Sequence, residues 1–240
     1  MLNVLVPMAG KGKRFRDAGY SQPKPMISIA GKPMIDWALK SLGGLTVPHR
    51  FIFIALEEDL NAGLGPLLTS RGEVVSIPNV TEGAVNTTLC AENFVANNDP
   101  LVIACCDQYL EWDFQSFINS ANGFDCSVVV FESENPHHSF VETRGIEVVK
   151  VKEKEIISPL AVGGIYFYRS GLDYITGAKK LIESNDRTNG EFYLSPVFNK
   201  LIELNKKITY FKIPNTNKHM LGTPEEVQDF LLRIDGGVGF

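Results

Sequence analysis

The sequence predicts a three-layer α/β/α fold in which helices cover both faces of a mixed, mostly parallel central sheet. Short apolar runs that end at turn residues alternate with segments whose apolar residues recur at helical spacing. Strands that alternate with helices in this way are joined by crossover connections, which favour a parallel sheet. The 240 residues, with a mass of 26.6 kDa, are enough to bury a full core around such a sheet.

The first half of the chain shows this alternation most regularly. Its apolar runs predict strands at residues 2–7, 51–56, 73–77 and 101–106. An amphipathic stripe predicts a helix over residues 33–42, which ends at Gly43 and Gly44. A second stripe predicts a helix over residues 84–95. The first half therefore predicts strands that are joined by helical crossovers.

The second half is less regular and predicts a mixed or antiparallel section of the sheet. Predicted strands lie at residues 126–131, 146–151, 161–168 and 208–213. Predicted helices lie at residues 114–121, 172–184, 194–204 and 224–234, and Thr223 is the expected N-cap of the last one. The sequence contains no internal repeat, low-complexity tract or obvious linker. We therefore expect one Rossmann-like domain over residues 1–240.

The overall composition excludes several classes of protein. Hydrophobic residues make up 44% and charged residues 21% of the chain, values typical of globular proteins, so disordered and fibrous classes are excluded. No apolar run approaches the roughly 18 residues of a membrane-spanning helix, and the apolar first residues lack a basic leader. Of the four cysteines, Cys105 and Cys106 are adjacent, and the set matches neither a disulfide framework nor a CxxC metal site. We therefore expect no membrane insertion and a reducing, cytoplasmic location.

Charge is distributed unevenly along the chain. The net charge of −5 argues against general affinity for nucleic acid. Residues 11–32, however, contain six basic residues and one acidic residue, Asp17. A compact positive segment on an acidic protein suits a small, highly anionic ligand, although a solvated basic loop has the same composition.

A glycine-rich basic loop follows the first predicted strand. It reads Pro-Met-Ala-Gly-Lys-Gly-Lys-Arg-Phe over residues 7–15. Glycines let successive backbone N–H groups turn towards an anion, and lysine and arginine add charge-assisted contacts to phosphate oxygens. The loop is not a Walker loop, because Arg14 stands where serine or threonine is needed, and Phe15 breaks the dinucleotide-binding fingerprint. Taken alone, the loop fits either a phosphate site or an ordinary strand-to-helix turn.

Two further residues mark the same edge of the predicted sheet. Lys24 stands between Pro23 and Pro25, whose rings stiffen the backbone and would hold the ammonium group in place. Asp107 comes directly after the strand predicted at residues 101–106. Ligands of such sheets bind beyond the carboxyl ends of the strands, where Asp107 and the basic loop are both expected. The alternatives are a proline-rich surface turn for Lys24 and a strand cap or Asx turn for Asp107.

Short blocks that follow one another along nearly the whole chain carry a resemblance to a known family. They are G-x-G-x-R-F at residues 10–15, P-K-P at 23–25, G-K-P-M-I at 31–35, E-G-A at 82–84, Asp107, E-K at 153–154, G-G-I-Y at 163–166, G-E-F-Y at 190–193 and L-G-T-P-E at 221–225. This ordered set resembles the nucleoside-diphosphate-sugar pyrophosphorylases, also called sugar-1-phosphate nucleotidyltransferases. The pairs at residues 107–108 (D-Q) and 112–113 (W-D), together with the L-G-T-P-E ending, are most similar to the variants from capsule and surface-polysaccharide gene clusters.

The resemblance implies a nucleotide-diphospho-sugar transferase fold. It places a nucleotide-binding half at about residues 1–115 and an acceptor-binding half at about residues 116–240. Members of the family transfer a nucleotidyl group from a nucleoside triphosphate to a phosphorylated acceptor, release pyrophosphate and use Mg²⁺. The implied partners are therefore these two small molecules, and a homo-oligomer would have to assemble through this domain itself.

The same resemblance implies roles for individual residues. The implied catalytic residues are Arg14, Lys24 and Asp107, and Asp107 is also the implied Mg²⁺ ligand. The implied nucleotide-binding residues are Ala9, Gly10, Gly12, Lys13, Gly83 and Asp107. The implied acceptor-binding residues are Lys154, Gly164 and Glu191.

Two departures leave the metal geometry and the acceptor open. Family members often place an acidic metal ligand two residues before the Gly-Thr-Pro motif, where this chain has Met220. Either Asp107 is the main ligand, another carboxylate completes the site, or the metal is held more loosely. Some enzymes similar to the capsule variants use CTP and phosphocholine or another phosphorylated amine. The implied acceptor is therefore a sugar 1-phosphate or such an amine.

Two other functions compete with nucleotidyl transfer. A non-catalytic regulatory subunit of the same fold would sense a nucleotide or sugar. Met220 favours this reading slightly, whereas the intact basic loop, Lys24 and Asp107 oppose it. A dinucleotide-dependent oxidoreductase is disfavoured because Phe15 breaks the glycine fingerprint. In addition, the dinucleotide-binding fingerprint needs an acidic residue about 20 residues after the glycine-rich loop. The acidic residues that follow the second predicted strand, 57–59, are much further from the loop than this.

Overall fold

The computed structural model describes residues 1–235, in which the main sheet is mixed and has nine strands. The strands in chain order are β1 (Leu2–Pro7), β2 (Ser28–Ile29), β3 (Lys32–Pro33), β4 (His49–Leu56), β5 (Glu73–Ile77), β6 (Leu101–Ala104), β7 (Gln108–Leu110), β8 (Cys126–Glu132), β9 (Ser139–Arg144), β10 (Glu147–Glu153), β11 (Leu160–Tyr168), β12 (Ile208–Lys212) and β13 (Lys218–Met220). The helices are α1 (Lys13–Asp17), α2 (Met34–Lys40), α3 (Glu57–Asp59), α4 (Gly65–Thr69), α5 (Ala84–Leu89), α6 (Glu92–Val95), α7 (Phe114–Ser120), α8 (Gly171–Glu183), α9 (Val197–Glu203) and α10 (Pro224–Asp235).

The strand order across the main sheet is β5-β4-β1-β6-β11-β8-β12-β10-β9. Strand β1 is parallel to β4 on one side and to β6 on the other, with Leu5 opposite Ile52 and Ile103. Strand β4 is parallel to β5, whereas β11 is antiparallel to both β6 and β8. Strand β12 is parallel to β8, and β10 is antiparallel to both of its neighbours, β12 and β9. The mixed sheet is therefore confirmed, and its parallel section is built mainly from first-half strands.

Apolar side chains cover both faces of the sheet, because successive residues of a strand point to opposite sides. In β1, Leu5 packs in one buried cluster with residues of α5, α8 and α9. Its neighbours Val4 and Val6 pack in a second cluster with residues of α2, α4 and α7. This is the three-layer arrangement that the sequence predicts. No helix within residues 1–235 combines the length and the apolar character needed to cross a membrane.

Most predicted elements are present, but some of their bounds differ. The helix predicted at residues 84–95 is two short helices, α5 and α6. Between them, the N–H groups of Cys90 and Ala91 donate to carbonyls three residues back, which tightens and ends the first helix. The strand predicted at residues 101–106 ends at Ala104. Other bounds move by a few residues, as is usual at element ends.

The apolar pattern predicts no element for residues 57–69, where the structure has α3 and α4 joined by a π-helical turn. Gly63, with φ +109°, interrupts the helical path there. The pattern also misses β7, β9 and β13. Strands of three residues are too short to show an alternation, and β9 is mostly polar.

Strands β7 and β13 form a separate antiparallel pair that positions the surroundings of Asp107. The register places Met220 opposite the residue that follows Asp107. The backbone N–H of Leu221 donates to the Asp107 carbonyl at 2.9 Å. Helix α10 then begins with Thr223 as the predicted N-cap, since the Thr223 hydroxyl accepts from the Glu226 N–H at 3.2 Å.

A third buried cluster fastens the basic loop to α2, β7 and α10. It contains Phe15 from the loop side together with Trp37, Tyr109 and Phe230. The Trp37 ring packs edge to face against two other rings. Its centroid lies 5.2 Å from the centroid of the Tyr109 ring and 5.0 Å from that of the Phe230 ring. The loop after β1 is therefore anchored on the same cluster as the strand that follows Asp107.

Candidate active site

A cleft of about 310 Å³ lies beyond the carboxyl ends of β1 and β6. Four stretches of chain surround it: the basic loop with the Lys24 turn, residues 80–87, residues 105–107, and residues 191–194. Its lining residues are Pro7, Met8, Ala9, Gly10, Gly12, Lys24, Pro25, Val80, Thr81, Gly83, Ala84, Thr87, Cys105, Cys106, Asp107, Glu191 and Leu194. This is the edge of the sheet at which the sequence predicts a ligand site.

The glycine-rich loop turns its backbone towards the cleft. Gly12 adopts φ +58°, a left-handed conformation that glycine takes at little cost. A Cβ on Gly12 would lie 3.1 Å from Lys24 Cβ, so the loop passes close to the Lys24 turn. The backbone N–H groups of residues 9–12 donate no hydrogen bond within the described part of the chain. They are available to an anion.

Lys24 and Asp107 form an ion pair at the floor of the cleft. The Lys24 ammonium donates to Asp107 Oδ2 at 2.6 Å, and the two side chains are 18% and 30% exposed. Burial by itself would raise the pKa of Asp107, but the ammonium groups of Lys24 and Lys218 outweigh burial and hold this pKa below its usual range. Burial would likewise lower the pKa of Lys24, and the negative charge of Asp107 outweighs it and raises this pKa. Both groups are therefore charged at neutral pH.

The donor set around Asp107 fits a cation that prefers oxygen ligands. Within residues 1–235 no group of three or more histidine, cysteine, aspartate or glutamate side chains could hold a metal ion. The Glu226 carboxylate nevertheless lies near Asp107. A Cβ on Gly222 would be 3.3 Å from Asp107 Oδ2 and 3.2 Å from Glu226 Oε2, so glycine keeps this space open. Mg²⁺ retains several water ligands and is often held by one or two carboxylates, which these residues can supply.

Lys218 adds a second positive charge near Asp107. Its Nζ lies 4.0 Å from the centroid of the Phe131 ring. Burial lowers the pKa of Lys218 to about 8, against the opposing effects of Cys105, Asp107 and Glu226. The Asp107 carboxylate is therefore influenced by two ammonium groups.

Two loops meet beside the cleft at Gly83. Gly83 adopts φ +139°, and a Cβ there would lie 2.5 Å from both the backbone N and the carbonyl O of Phe192. The Phe192 N–H donates to the Glu82 carbonyl at 3.0 Å, and the Val85 N–H donates to the Phe192 carbonyl at 3.1 Å. A protein contact thus requires glycine at this position. Room for a base or ribose beside Gly83 stays a prediction.

Lys154 and Tyr193 form a polar corner in the second half of the chain. Lys154 adopts φ +57°, and its ammonium donates to the Tyr193 hydroxyl at 2.5 Å and lies 4.4 Å from the centroid of the Tyr193 ring. Beside it, Glu153 accepts hydrogen bonds from Ser139 and, at 2.8 Å, from Ser195. Burial raises the pKa of Glu153. The corner offers ammonium, hydroxyl and carboxyl groups within a few residues.

The structure brings most of the predicted site residues together. The cleft is lined by Ala9, Gly10, Gly12, Lys24, Gly83, Asp107 and Glu191. Lys13 and Arg14 lie on α1 with exposed side chains, and neither they nor Lys154 and Gly164 belong to the lining. Gly164 lies behind it, since a Cβ there would be 3.2 Å from the Sγ of the lining residue Cys105. The roles of all these residues stay predictions.

Several residues that border the site have no role that is predicted from the sequence. Thr81 and Thr87 line the cleft, and their hydroxyl oxygens are 2.7 Å apart. Lys218, Glu226 and Arg187 are further examples. Of these residues, only Glu226 could have been recognised from the sequence. It stands three residues after the N-cap Thr223, a position from which a glutamate side chain reaches back to the backbone. The positions of the others depend on contacts between distant parts of the chain.

Comparison with known proteins identifies the class. Residues 4–182 match the family described as the MobA-like NTP transferase domain. This match covers well over half of the chain, and the chain belongs to that family. The fold is the nucleotide-diphospho-sugar transferase fold that the sequence predicts.

Particular relatives share the fold over almost the whole chain. The nucleoside-diphosphate-sugar pyrophosphorylase from Vibrio cholerae RC9 aligns over 95% of this chain and 99% of its own, with a TM-score of 0.85 at 24% identity. The inositol-1-phosphate CTP transferase from T. maritima aligns over 99% of this chain and 98% of its own, with a TM-score of 0.75 at 21% identity. These low identities show a shared fold and nothing more specific.

A curated relative, the bifunctional protein GlmU from Methanococcus maripaludis strain C5, is 24% identical over 215 residues. The alignment covers 85% of this chain and 48% of the relative. The chain spans about half the length of the curated relatives that it matches. The family predicted from the ordered sequence blocks is therefore confirmed.

Proposed function

We propose that this chain is a nucleotidyltransferase that moves a nucleoside monophosphate from a nucleoside triphosphate to a phosphorylated small molecule. One observation carries the proposal. The ion-paired Lys24 and Asp107 face a loop whose N–H groups at residues 9–12 are available to phosphate, at the carboxyl edge of the sheet. The nucleotide would occupy a half at about residues 1–115 and the acceptor a half at about residues 116–240.

The proposed reaction needs little from the side chains beyond binding and charge. A phosphate monoester has a second pKa of about 6, so the acceptor is largely a dianion at neutral pH and is itself the nucleophile. One of its oxygens attacks the α-phosphorus of the nucleotide. The bond from that phosphorus to the bridging oxygen breaks, and pyrophosphate leaves with the electron pair. A general base is not required, so catalysis consists of holding two anions in line and offsetting their repulsion.

The basic loop and Lys24 would hold the nucleotide phosphates. The N–H groups of residues 9–12 and the side chain of Lys13 would bind the triphosphate, and Arg14 would neutralise the leaving pyrophosphate. Asp107 already holds the Lys24 ammonium in place. Because Lys24 is ordered before substrates bind, its charge stabilises the transition state with little reorganisation.

Asp107 would hold Mg²⁺, with the Glu226 carboxylate as its nearest acidic neighbour across Gly222. When bound, Mg²⁺ would neutralise part of the negative charge on the nucleotide phosphates. Glu226 would supply the carboxylate that is missing at Met220. This arrangement favours one of the three possibilities that the sequence leaves open, in which another carboxylate completes the site.

The acceptor would lie between Glu191 and the corner formed by Lys154 and Tyr193. Lys154 would bind the acceptor phosphate, Gly164 would form the wall behind it, and Glu191 would accept hydrogen bonds from hydroxyl or amine groups. The Lys154 ammonium already covers the Tyr193 ring, the aromatic surface that a quaternary amine would need. This favours a sugar 1-phosphate or similar phosphorylated polyol over a phosphocholine-like amine. The product would be a precursor for surface polysaccharide, made in the cytoplasm.

A matrix of substrates tests the proposal. The protein is incubated with Mg²⁺ and each of CTP, UTP, dTTP, GTP and ATP. Each nucleotide is paired with glucose 1-phosphate, mannose 1-phosphate, N-acetylglucosamine 1-phosphate, inositol 1-phosphate or phosphocholine, and pyrophosphate is measured. We expect release that requires both substrates for at least one pair and that Asp107→Asn abolishes. Nucleotide binding without release from any pair would instead support the sensing subunit.

A further inference from the structure

The loop beside the nucleotide site and the loop beside the acceptor site are fastened to each other. Residues 82–85 lie on the nucleotide side, and residues 185–192 lead into the acceptor side. Two backbone hydrogen bonds join them, from the Phe192 N–H to the Glu82 carbonyl and from the Val85 N–H to the Phe192 carbonyl. Both loops reach the cleft, which Gly83 and Glu191 line.

Arg187 holds this junction from the outside through every nitrogen of its guanidinium group. Its Nη2 donates to Glu82 Oε2 at 2.5 Å, which ties it to the nucleotide side. Its Nη1 donates to the Gly190 carbonyl at 2.8 Å and its Nε to Asn185 Oδ1 at 2.7 Å, within its own loop. The guanidinium also lies 3.9 Å from the centroid of the Phe192 ring. The Phe192 side chain is 1% exposed, so this stacking is a contact with the core.

The hydrogen bonds and ring stacking of the Arg187 guanidinium hold the two loops together more firmly than its ion pair with Glu82 does. Glu82 is 65% exposed, and an ion pair with such a group contributes little by itself. The planar guanidinium, in contrast, makes hydrogen bonds in fixed directions while it covers an aromatic face. A lysine at this position would keep the charge but lose the fork and the planar stacking.

We infer that Arg187 is a positioning residue that couples the two substrate sites. It holds the acceptor loop on the nucleotide loop, so a nucleotide that packs beside Gly83 also orders the segment that carries Glu191 and Tyr193. Coupling of this kind is reciprocal, and an acceptor should tighten nucleotide binding by the same factor. The identity of the two ligands rests on the proposed function, whereas the mechanical coupling of the loops does not.

Hydrogen exchange of residues 185–193, followed by mass spectrometry, tests the coupling without requiring turnover. CTP, UTP, dTTP, GTP and ATP are each added with Mg²⁺, and binding is measured by equilibrium titration. In the wild-type protein we expect at least one nucleotide to slow exchange of this segment several-fold. In Arg187→Ala that nucleotide should bind within about threefold of the wild-type affinity, but the protection of residues 185–193 should be lost.

Three further variants separate positioning from charge and from general destabilisation. Arg187→Lys should behave as Arg187→Ala, and Glu82→Gln should keep most of the protection. Arg144→Ala, at the exposed end of β9, is the matched control and should behave as the wild type. Thermal unfolding of each variant checks that it is folded under the conditions used.

The inference is wrong if no nucleotide protects the wild-type segment or if Arg187→Ala retains the protection. Where the substrate matrix yields an active pair, Arg187→Ala should raise KM for the acceptor about tenfold at saturating nucleotide and leave the affinity for the nucleotide alone within about threefold. An equally large loss of affinity for the nucleotide alone would contradict a positioning role. Absence of turnover with every pair would refute the proposed function, and the exchange result would still decide the coupling.

Discussion

At the scale of single residues, the site depends on a contact between two opposite charges that are distant in sequence. Lys24 and Asp107 are 83 residues apart, and their charged atoms are 2.6 Å apart. Each charge opposes the effect of burial on the other, which is why the pKa of Asp107 is lowered and that of Lys24 is raised. Removing Asp107 leaves the Lys24 ammonium without its partner, and removing Lys24 leaves Asp107 with the weaker influence of Lys218.

Replacement of Lys24 should therefore damage activity more than the fold. We expect Lys24→Met to lower the rate of pyrophosphate release by about 10²–10³-fold, since one lost charge contact in a transition state costs roughly 3–4 kcal/mol. Circular dichroism should show native secondary structure. Lys179→Met is the control, because Lys179 is half exposed on α8 and pairs only with Glu92 among the described ion pairs. A Lys24→Met protein with wild-type turnover would contradict the assignment of Lys24.

The free energy of unfolding of the protein should depend on pH through His138. Its carbonyl accepts from the Lys154 N–H at 3.0 Å, and burial, with the nearby charges of Lys218 and His137, lowers the pKa of His138 from 6.5 to about 4. Because the native pKa is the lower one, the unfolded state binds more protons between pH 4 and 6.5. The free energy of unfolding therefore falls as the pH is lowered through this window.

His138→Gln removes the titrating group and should flatten this part of the pH dependence. Urea unfolding of both proteins at several pH values from 4.5 to 7.5 measures the effect. The difference between the two free energies of unfolding should be constant near pH 7, where His138 is largely neutral in either state, and should change as the pH falls below 6.5. Parallel curves over the whole range would show that His138 does not contribute.

At the scale of elements, two short pieces of chain decide the shape of the site. The β7–β13 pair places residues 218–222 against Asp107, and the junction of residues 82–85 with Phe192 closes the cleft from the other side. The junction depends on a glycine for two separate reasons, a positive φ and the absence of space. These two effects can be separated by substitution.

Gly83→Ala should be much more destabilising than Gly190→Ala. Both glycines have positive φ, +139° and +83°, but a Cβ on Gly190 meets no atom within 4 Å, whereas one on Gly83 overlaps the Phe192 backbone. We expect a loss of about 1–2 kcal/mol for Gly190→Ala from backbone strain alone. Gly83→Ala should lose about 2–4 kcal/mol, because overlap adds to strain. Equal losses in urea unfolding would mean that the loops separate freely.

At the scale of the whole molecule, one sheet joins the two halves of the chain. Strand β6 of the first half lies between β1 and β11, and β11 belongs to the second half. One buried cluster contains Leu5 and Ile103 together with Tyr168 and Phe198. Neither half has a separate core, so the two halves should unfold together.

Urea unfolding should therefore show a single transition. The tryptophans, Trp37 and Trp112, both lie in the first half, whereas far-UV circular dichroism reports on all helices and strands. We expect the fluorescence and dichroism transitions to coincide, as they do for a cooperative domain. A second transition that is visible by circular dichroism alone would show that the second half of the chain unfolds independently.

The local apolar pattern of the sequence predicts the elements that are long and apolar. Buried strands such as β1 and β4 and the amphipathic helix α8 were predictable because their own residues favour them. The short strands β7 and β13 were not, because three residues carry almost no periodic signal. The packing of Tyr109 of β7 on His219 of β13 and on Phe230 of α10 holds them together. The break in the helix predicted at residues 84–95 is likewise set by hydrogen bonding that the apolar pattern does not show.

The sequence by itself determined the family and the edge of the sheet where the site lies, because ordered blocks of glycine, proline and charge are local properties of the chain. Only the tertiary structure decided which side chains meet: Lys24 with Asp107, Gly83 with Phe192, and Arg187 with Glu82. It also brought Glu226 beside Asp107, whereas this chain has Met220 at the position where the family motif often has an acidic residue. The physical reason is that these contacts join segments about 80 to 120 residues apart, and their distances follow from packing of the whole core.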